Sequence, residues 1–243
     1  MMEQESATAL GVGIGLWVFF AWIWLTGQRD RRWPLVAAFG LVCLAALGVG
    51  FAGPWLIGGG GASSLAAIIG GAVACVGIVQ PWKNEGRWML DHLVPGGIAG
   101  LSVARVGCLF DGCDFGRVTS SAPSVVHDAG TRAWELHVAE YDLAFDSSQS
   151  LAVHPFALYL AIWGAIAAGV GEWRRRRGAG PGEAAMISGL VFFVGGGMIE
   201  LLREPASVRQ VADGWSVIPL LYWGTALVMG ALWWWFRTSR SQG

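Results

Sequence analysis

The chain has 243 residues, of which 54% are hydrophobic and only 14% are charged, and its formal net charge is −1. Because soluble domains usually carry about 25% charged residues, this composition excludes an ordinary soluble domain and indicates an integral membrane protein. The charges form no basic stripe of the kind that binds nucleic acid, so we expect no nucleic-acid partner.

The apolar segments predict seven transmembrane helices, each near the roughly 20 residues that a bilayer crossing needs. The predicted spans cover residues 7–26, 34–51, 62–82, 93–110, 151–171, 184–202 and 215–236. A polar segment at about 113–150 separates the fourth span from the fifth. The sequence therefore predicts an all-α integral membrane protein in which residues 1–243 form one polytopic domain.

Basic residues in the loops predict the orientation, because cytoplasmic loops are enriched in Lys and Arg. They follow the first, third, fifth and seventh spans: Arg29, Arg31, Arg32, Lys83, Arg87, Arg174, Arg175, Arg176, Arg177, Arg237 and Arg240. With seven spans, all these loops lie on one side of the membrane. We therefore predict an external N-terminus, a cytoplasmic C-terminus and an extracytoplasmic segment 113–150.

Labelling with an impermeant thiol reagent tests this orientation. In a background whose native cysteines are replaced, Ser148→Cys is expected to be labelled in intact cells, because it lies in the external segment. Gly178→Cys follows the four arginines after the fifth span, and we expect it to react only after permeabilisation. Labelling of position 178 in intact cells would reverse the predicted topology.

Ionisable residues inside the spans predict a functional site, since a charge within the bilayer is costly. Arg105 lies in the fourth span, about 18 Å along the helix from its start, which puts it in the outer half of the bilayer. His154 begins the fifth span, and Glu200 and Arg203 end the sixth. Guanidinium groups bind phosphate bidentately, so this cluster predicts a site for a phospholipid headgroup.

Glycines near Arg105 would let a headgroup approach the backbone. They are Gly107, Gly112 and Gly116. Structural explanations remain open for the charges. Arg105 could pair with Glu200 or Asp111 inside the protein, and Glu200 with Arg203 could form an ordinary helix-surface pair.

The cysteines predict neither a disulfide framework nor a metal site. Cys108 and Cys113 stand five residues apart near the outer end of the fourth span. On a straight helix their side chains would point in different directions, so a disulfide between them needs the helix to break. No His, Cys, Asp or Glu spacing indicates a metal, and we expect no cofactor.

Four sequence elements, in order, resemble those of prolipoprotein diacylglyceryl transferases. Residues Ala104–Arg117 resemble the family signature, and His154–Tyr159 resembles its His-Pro-x-x-Leu-Tyr motif. Glu200–Pro205 resembles the Glu-Phe-Phe-Arg-x-Pro end of the family's sixth span, and Ser216–Pro219 resembles the opening of its last span. The resemblance covers the chain from about Leu90 to its end.

The resemblance implies an enzyme of the bacterial inner membrane that moves diacylglyceryl from phosphatidylglycerol to the lipobox cysteine thiol of a secreted precursor. Phospholipid and precursor protein are then its partners. Arg105 would hold the phosphate, and Arg105 with His154 would be the catalytic pair. The implied substrate-binding residues are Gly107, Asp111, Gly112, Gly116, Tyr159, Glu200 and Arg203.

The chain also departs from the family pattern. The third-span His of the family is absent from the stretch that contains Ala66 and Ala67, and Gly196 stands where a second Arg is expected. Phe192 replaces a Tyr one turn earlier. Two alternatives therefore stay open: an enzyme on the same scaffold with a different acceptor, and a non-catalytic paralogue that binds lipid or lipoprotein.

Overall fold

A computed structural model describes residues 6–56, 64–205 and 218–240. These residues form helices and loops and contain no strand beyond isolated bridges, which confirms the all-α prediction for this part of the chain. The helices are α1 (Ser6–Thr26), α2 (Arg32–Leu56), α3 (Ser64–Asp111), α4 (Arg132–Glu140), α5 (Phe156–Arg176), α6 (Glu183–Glu200) and α7 (Ile218–Arg240).

Four of the described segments are long and apolar enough to cross a membrane. They are Ala7–Thr26, Glu85–Asp111, Phe156–Arg176 and Glu183–Glu200, and Ile218–Ala231 is a shorter apolar helix. In these segments, the length and apolar composition of the helices agree with the membrane spans predicted from the sequence. The side of the membrane on which each end lies stays a prediction.

One predicted loop is wrong. The sequence indicated separate spans at 62–82 and 93–110 joined by a charged turn, whereas α3 runs through both as a single helix of 48 residues. Charge alone does not end a helix, and Glu85 and Arg87 are good helix formers. Glu85 instead makes an exposed ion pair at 3.8 Å with Arg31, just before α2.

Small residues pack α1 closely against α3 in an antiparallel pair. A Cβ built on Gly15 would lie 2.4 Å from the carbonyl oxygen of Gly100, and one on Gly107 would lie 2.4 Å from that of Ala7. Neither position has room for a side chain, so the two backbones touch directly. Such close glycine contacts are a common way for membrane helices to associate.

Asp91 of α3 joins that helix to the start of α6. Its carboxylate oxygens accept hydrogen bonds from the backbone amides of Gly182 at 2.7 Å and Ala185 at 2.8 Å. A carboxylate at a helix N-terminus satisfies free amides and complements the helix dipole. Asp91 stands two residues before the predicted fourth span, but the helix start that it caps is that of α6.

The segment between α3 and α5 lies beside the end of α3 and the start of α5. Isolated antiparallel bridges join Val118 and Val125 to Val153. Phe115, Ala133 and Val153 form its small buried core. This segment therefore holds the residues after α3 in fixed positions beside the start of α5.

Candidate functional site

Two arginines, one buried and one half-buried, share one carboxylate just beyond the end of α3. Asp114 accepts hydrogen bonds from Nη1 of Arg105 through Oδ2 and from Nη1 of Arg203 through Oδ1. Arg203 in turn donates from Nε and Nη2 to Glu200, at 2.7 and 3.0 Å. Arg105, Asp114 and Glu200 are 8%, 7% and 4% exposed, so this four-residue network is desolvated and formally neutral.

A glycine turn places Asp114 between the arginines. Helix α3 ends at Asp111, Gly112 has a φ of 59°, and the amide of Cys113 donates to the carbonyl of Cys108 at 3.3 Å. This is the pattern of a Schellman C-cap, in which a left-handed residue reverses the chain direction. Because the chain turns back there, Asp114 lies beside Arg105 instead of continuing along the helix axis.

Backbone hydrogen bonds connect the residues after this turn to α5 and α6. The amide of Gly116 donates to the carbonyl of His154 at 3.1 Å, and that of Arg117 donates to Leu202 at 2.8 Å. A Cβ on Gly116 would lie 2.7 Å from the Cβ of His154 and 2.8 Å from the Leu202 oxygen. Glycine is needed at 116 because the start of α5 and the end of α6 meet there.

His154 and Tyr159 form a polar pair at the start of α5. The Tyr159 hydroxyl lies 3.4 Å from Nδ1 of His154, and which of the two donates depends on the imidazole tautomer. Phe156 lies between them in sequence. The Arg203 guanidinium lies over the Phe156 ring, with its Cζ 4.3 Å from the ring centroid. The predicted histidine motif and the arginine network therefore adjoin each other.

An open apolar groove of about 310 Å³ reaches this site between α5 and α6. Its lining residues are Tyr159, Ile162, Trp163, Ile199 and Leu202. Tyr159 touches His154, and Ile199 and Leu202 flank Glu200 and Arg203 in sequence. The groove is therefore lined by apolar side chains and by Tyr159, the residue that contacts His154.

Three consecutive glycines on α6 accommodate aromatic side chains. A Cβ on Gly195 would lie 2.0 Å from the Trp163 ring, one on Gly197 would lie 2.4 Å from Trp223, and one on Gly196 would lie 2.6 Å from Tyr222. Tyr222 therefore occupies the space beside the position where the resemblance leads one to expect an arginine. Its hydroxyl is within electrostatic range of Glu200, Arg105, Arg203 and Asp114.

Several predicted site residues have other contacts. Gly107 packs against α1, Gly112 forms the turn, and Gly116 separates α5 from α6, so packing explains these glycines without a headgroup. Asp111 Oδ2 accepts from the Thr8 amide at 2.6 Å and so caps α1. Ser216 and Val217, and the side chains of Ala66 and Ala67, lie outside what the structure describes.

Asp114, which belongs to the network, and Tyr222, which lies beside it, were absent from the predicted site. Asp114 could have been found as the second acid after Arg105 in the signature, but its arginine partners depend on the turn. Tyr222 gave a weaker signal: it is one of only three tyrosines in the chain. The others, Tyr159 and Tyr141, also lie at this end, beside His154 and Glu204 respectively.

His127 and His137 stabilise the segment that covers the site. Burial lowers the pKa of both imidazoles, and the proximity of His137 lowers that of His127 further. Nδ1 of His137 accepts a hydrogen bond from the Leu151 amide at 3.2 Å, which fixes it as a neutral imidazole. The His127 ring packs against Gly112, where an added Cβ would be 3.0 Å away. Both histidines therefore support the turn structurally.

The comparison with known families agrees with this architecture. The family model described as LGT, prolipoprotein diacylglyceryl transferase, matches residues 54–235. The chain belongs to this family. A search of curated proteins found no significant match.

Family membership gives the protein a general class. The prolipoprotein diacylglyceryl transferase family is a family of membrane transferases that act on lipid donors and prolipoproteins. The match spans the arginine network, the His154–Tyr159 pair and the glycines of α6. All the charged groups of the candidate site thus lie within the region shared with the family.

Proposed function

We propose that this protein is a phospholipid-dependent transferase of the bacterial inner membrane, which moves diacylglyceryl from phosphatidylglycerol to a cysteine thiol of a secreted precursor. The observation that carries the proposal is the pair of arginines, Arg105 buried and Arg203 half-buried, that Asp114 joins. Two guanidinium groups at one end of a helical bundle form a binding site for a phosphate. Family membership supports the same reaction class.

Arg105 is the proposed phosphate ligand. Within the described part of the chain, it donates to a side chain only through Nη1, to Asp114. Its Nε and Nη2 groups therefore remain as a planar pair of donors for two phosphate oxygens. Asp114 holds this guanidinium in place before the lipid arrives, which reduces the entropy lost on binding.

The groove between α5 and α6 is the proposed position of an acyl chain. Its apolar wall is compatible with the tail of a lipid whose headgroup lies at the arginines. The open side of the groove would let the lipid enter sideways from the bilayer. The groove thus accounts for the apolar part of an amphipathic donor, and the arginines account for its headgroup.

His154 is the proposed base. It removes the proton from the precursor thiol, because the thiolate is the nucleophile. The thiolate sulfur then forms a bond to the glyceryl carbon, and the bond from that carbon to the phosphate oxygen breaks. The electron pair leaves with glycerol phosphate, whose added negative charge Arg105 and Arg203 stabilise. The Tyr159 hydroxyl, 3.4 Å from Nδ1, orients the imidazole.

Lipid retention tests the role of Arg105. We expect Arg105→Lys and Arg105→Ala both to lose co-purified anionic phospholipid, because lysine keeps the charge but not the planar fork. Native mass spectrometry of the purified protein measures the bound lipid. Arg31→Ala removes an exposed arginine whose ion pair spans 3.8 Å and serves as the control. Full lipid occupancy in folded Arg105→Ala would make Arg105 a structural residue.

A second candidate, transfer to a different acceptor, is favoured by Gly196 and Tyr222. Where the resemblance implies a second arginine, a glycine stands against the Tyr222 ring. The Tyr222 phenol supplies one neutral hydrogen-bond donor, where an arginine would supply several donors and a positive charge. The charge and shape of the site therefore differ from the family pattern at this position. The phosphate site itself is common to both candidates.

A transfer assay separates the two candidates. We expect turnover with labelled phosphatidylglycerol and a standard lipobox peptide to be lower than that of a typical family enzyme by a factor of roughly 10² to 10³, the usual effect of losing one positioned charge. The family enzyme is run in parallel under the same conditions. Comparable turnover would show that the lipobox cysteine is the normal acceptor and that Gly196 has no catalytic cost.

A further inference from the structure

The turn that ends α3 also brings two cysteines together. Cys108 and Cys113 occupy the two positions of the C-cap whose side chains meet across the turn. The amide of Cys113 donates to the Cys108 carbonyl at 3.3 Å, and its Sγ lies 3.9 Å from the same oxygen. The sequence required a break in the helix before these residues could pair, and Gly112, with a φ of 59°, provides it.

The two thiols also lie close together. Both are free and half-buried. The hydroxyl of Thr8, at the start of α1, lies 3.5 Å from Sγ of Cys113. A disulfide needs the Cα and Cβ atoms of its two residues to approach closely, and the backbone hydrogen bond across this turn brings Cys108 and Cys113 together.

We infer that Cys108 and Cys113 form a dithiol–disulfide pair that fastens the turn beside Arg105. The inference is independent of the proposed transferase reaction. The reaction partner is the disulfide of a thiol–disulfide oxidoreductase on the external side, where the predicted topology puts this turn. External compartments are oxidising enough for disulfides to persist.

The exchange balances without another reactant. One thiolate attacks the partner's disulfide and forms a mixed disulfide. The second thiolate then attacks the mixed bond, so that Cys108 and Cys113 become linked and the partner leaves as a dithiol. Two electrons and two protons pass from the cysteine pair to the partner.

The position of the pair gives the bond a consequence for the arginine network. Asp114 directly follows Cys113, and Arg105 lies three residues before Cys108. In the oxidised form, Asp114 is covalently held next to Arg105, which it contacts. In the reduced form, the same contact depends on noncovalent interactions, among them the backbone hydrogen bond of the turn and the pairing of Asp114 with Arg203. The disulfide therefore stabilises the arrangement of charges.

Differential alkylation of the full-length protein tests the inference. Intact cells are quenched in acid, denatured and treated with one alkylating reagent, then reduced and treated with a second. We expect the peptide that contains Cys108 and Cys113 to carry the second reagent at both positions, whereas Cys43, a free thiol in α2, carries the first. In Cys108→Ser, Cys113 should move entirely to the first reagent. Equal first-reagent labelling of Cys43, Cys108 and Cys113 would contradict a disulfide in cells.

A second experiment uses purified protein and oxidised glutathione, so its result does not depend on the redox conditions of the cell. The purified, reduced protein is incubated with oxidised glutathione at increasing ratios to reduced glutathione. We expect a product that has lost two hydrogens and retains no glutathione, because the second thiol displaces the adduct. A stable glutathione adduct on either cysteine would overturn the inference, because it shows that the second thiol does not reach the first.

Thermal unfolding measures the effect on the turn. The oxidised wild type should unfold at a higher midpoint than the reduced wild type. In the double variant Cys108→Ser with Cys113→Ser, reductant should leave the midpoint unchanged. An equal shift in that variant would place the redox effect elsewhere in the chain.

Discussion

Replacing Asp114 by alanine is expected to destabilise the protein by about 3–5 kcal/mol, the usual cost of removing one partner from a buried ion pair. Without this carboxylate, Arg105 and Arg203 face each other as desolvated like charges. Only Arg203 would keep an acid, Glu200. The measurement is the unfolding midpoint in detergent, with expression level in the membrane as a second readout.

A matched control exists elsewhere in the chain. Glu85→Ala breaks an exposed pair with Arg31 at 3.8 Å, and such surface pairs contribute about 0–1 kcal/mol. Asp114→Asn keeps the shape and the acceptor oxygen but not the charge, so its effect should fall between the two. If Asp114→Ala is no more destabilising than Glu85→Ala, the carboxylate does not hold the arginines together.

Replacing Gly100 by leucine is expected to abolish the native packing of α1 on α3. A Cβ at this position would lie 2.5 Å from the carbonyl oxygen of Gly15. Since that atom belongs to a backbone, the helices have to separate, at a cost of about 1–3 kcal/mol or more. The displacement also removes the contact between Asp111 and the Thr8 amide. Protease protection and the unfolding midpoint both report the loss.

Gly13→Leu serves as the control for this substitution. Gly13 lies on α1 in the same apolar region as Gly15, but nothing stands within 4 Å of its built Cβ. A leucine there should be tolerated, since it would lie in open space. Equal loss of stability in Gly13→Leu and Gly100→Leu would mean that side-chain size on α1 and α3 is unrelated to their packing.

The sequence predicted the helices well because hydropathy and charge report directly on the membrane. It failed between Trp82 and Leu93, where a cluster of charges suggested a turn. The structure has continuous helix there. Charged residues indicate where a chain meets water. They do not show whether the backbone there is a helix or a turn, because that depends on helix propensity and on capping residues.

The candidate site was predicted in composition but not in connectivity. Arg105, Glu200 and Arg203 were all identified as charges near one boundary, and Glu200 does pair with Arg203. The sequence left Glu200 and Asp111 open as internal partners of Arg105, whereas the carboxylate that it contacts is Asp114. Asp114 and Arg203 are 89 residues apart in the chain, and a contact of this range depends on a turn that no single residue pattern specifies.

Helices α3 and α6 are joined at two places. Asp91, within α3, holds the first amides of α6, and Asp114, which also binds Arg105, holds Arg203 just beyond the last turn of α6. These contacts hold the two helices at a fixed separation, so a ligand cannot make room by pushing them apart. Space has to come from the start of α5, whose connection to Gly116 and Arg117 is made by backbone hydrogen bonds. We therefore expect Asp91, at the other contact between the two helices, to affect the width of the candidate site without touching it.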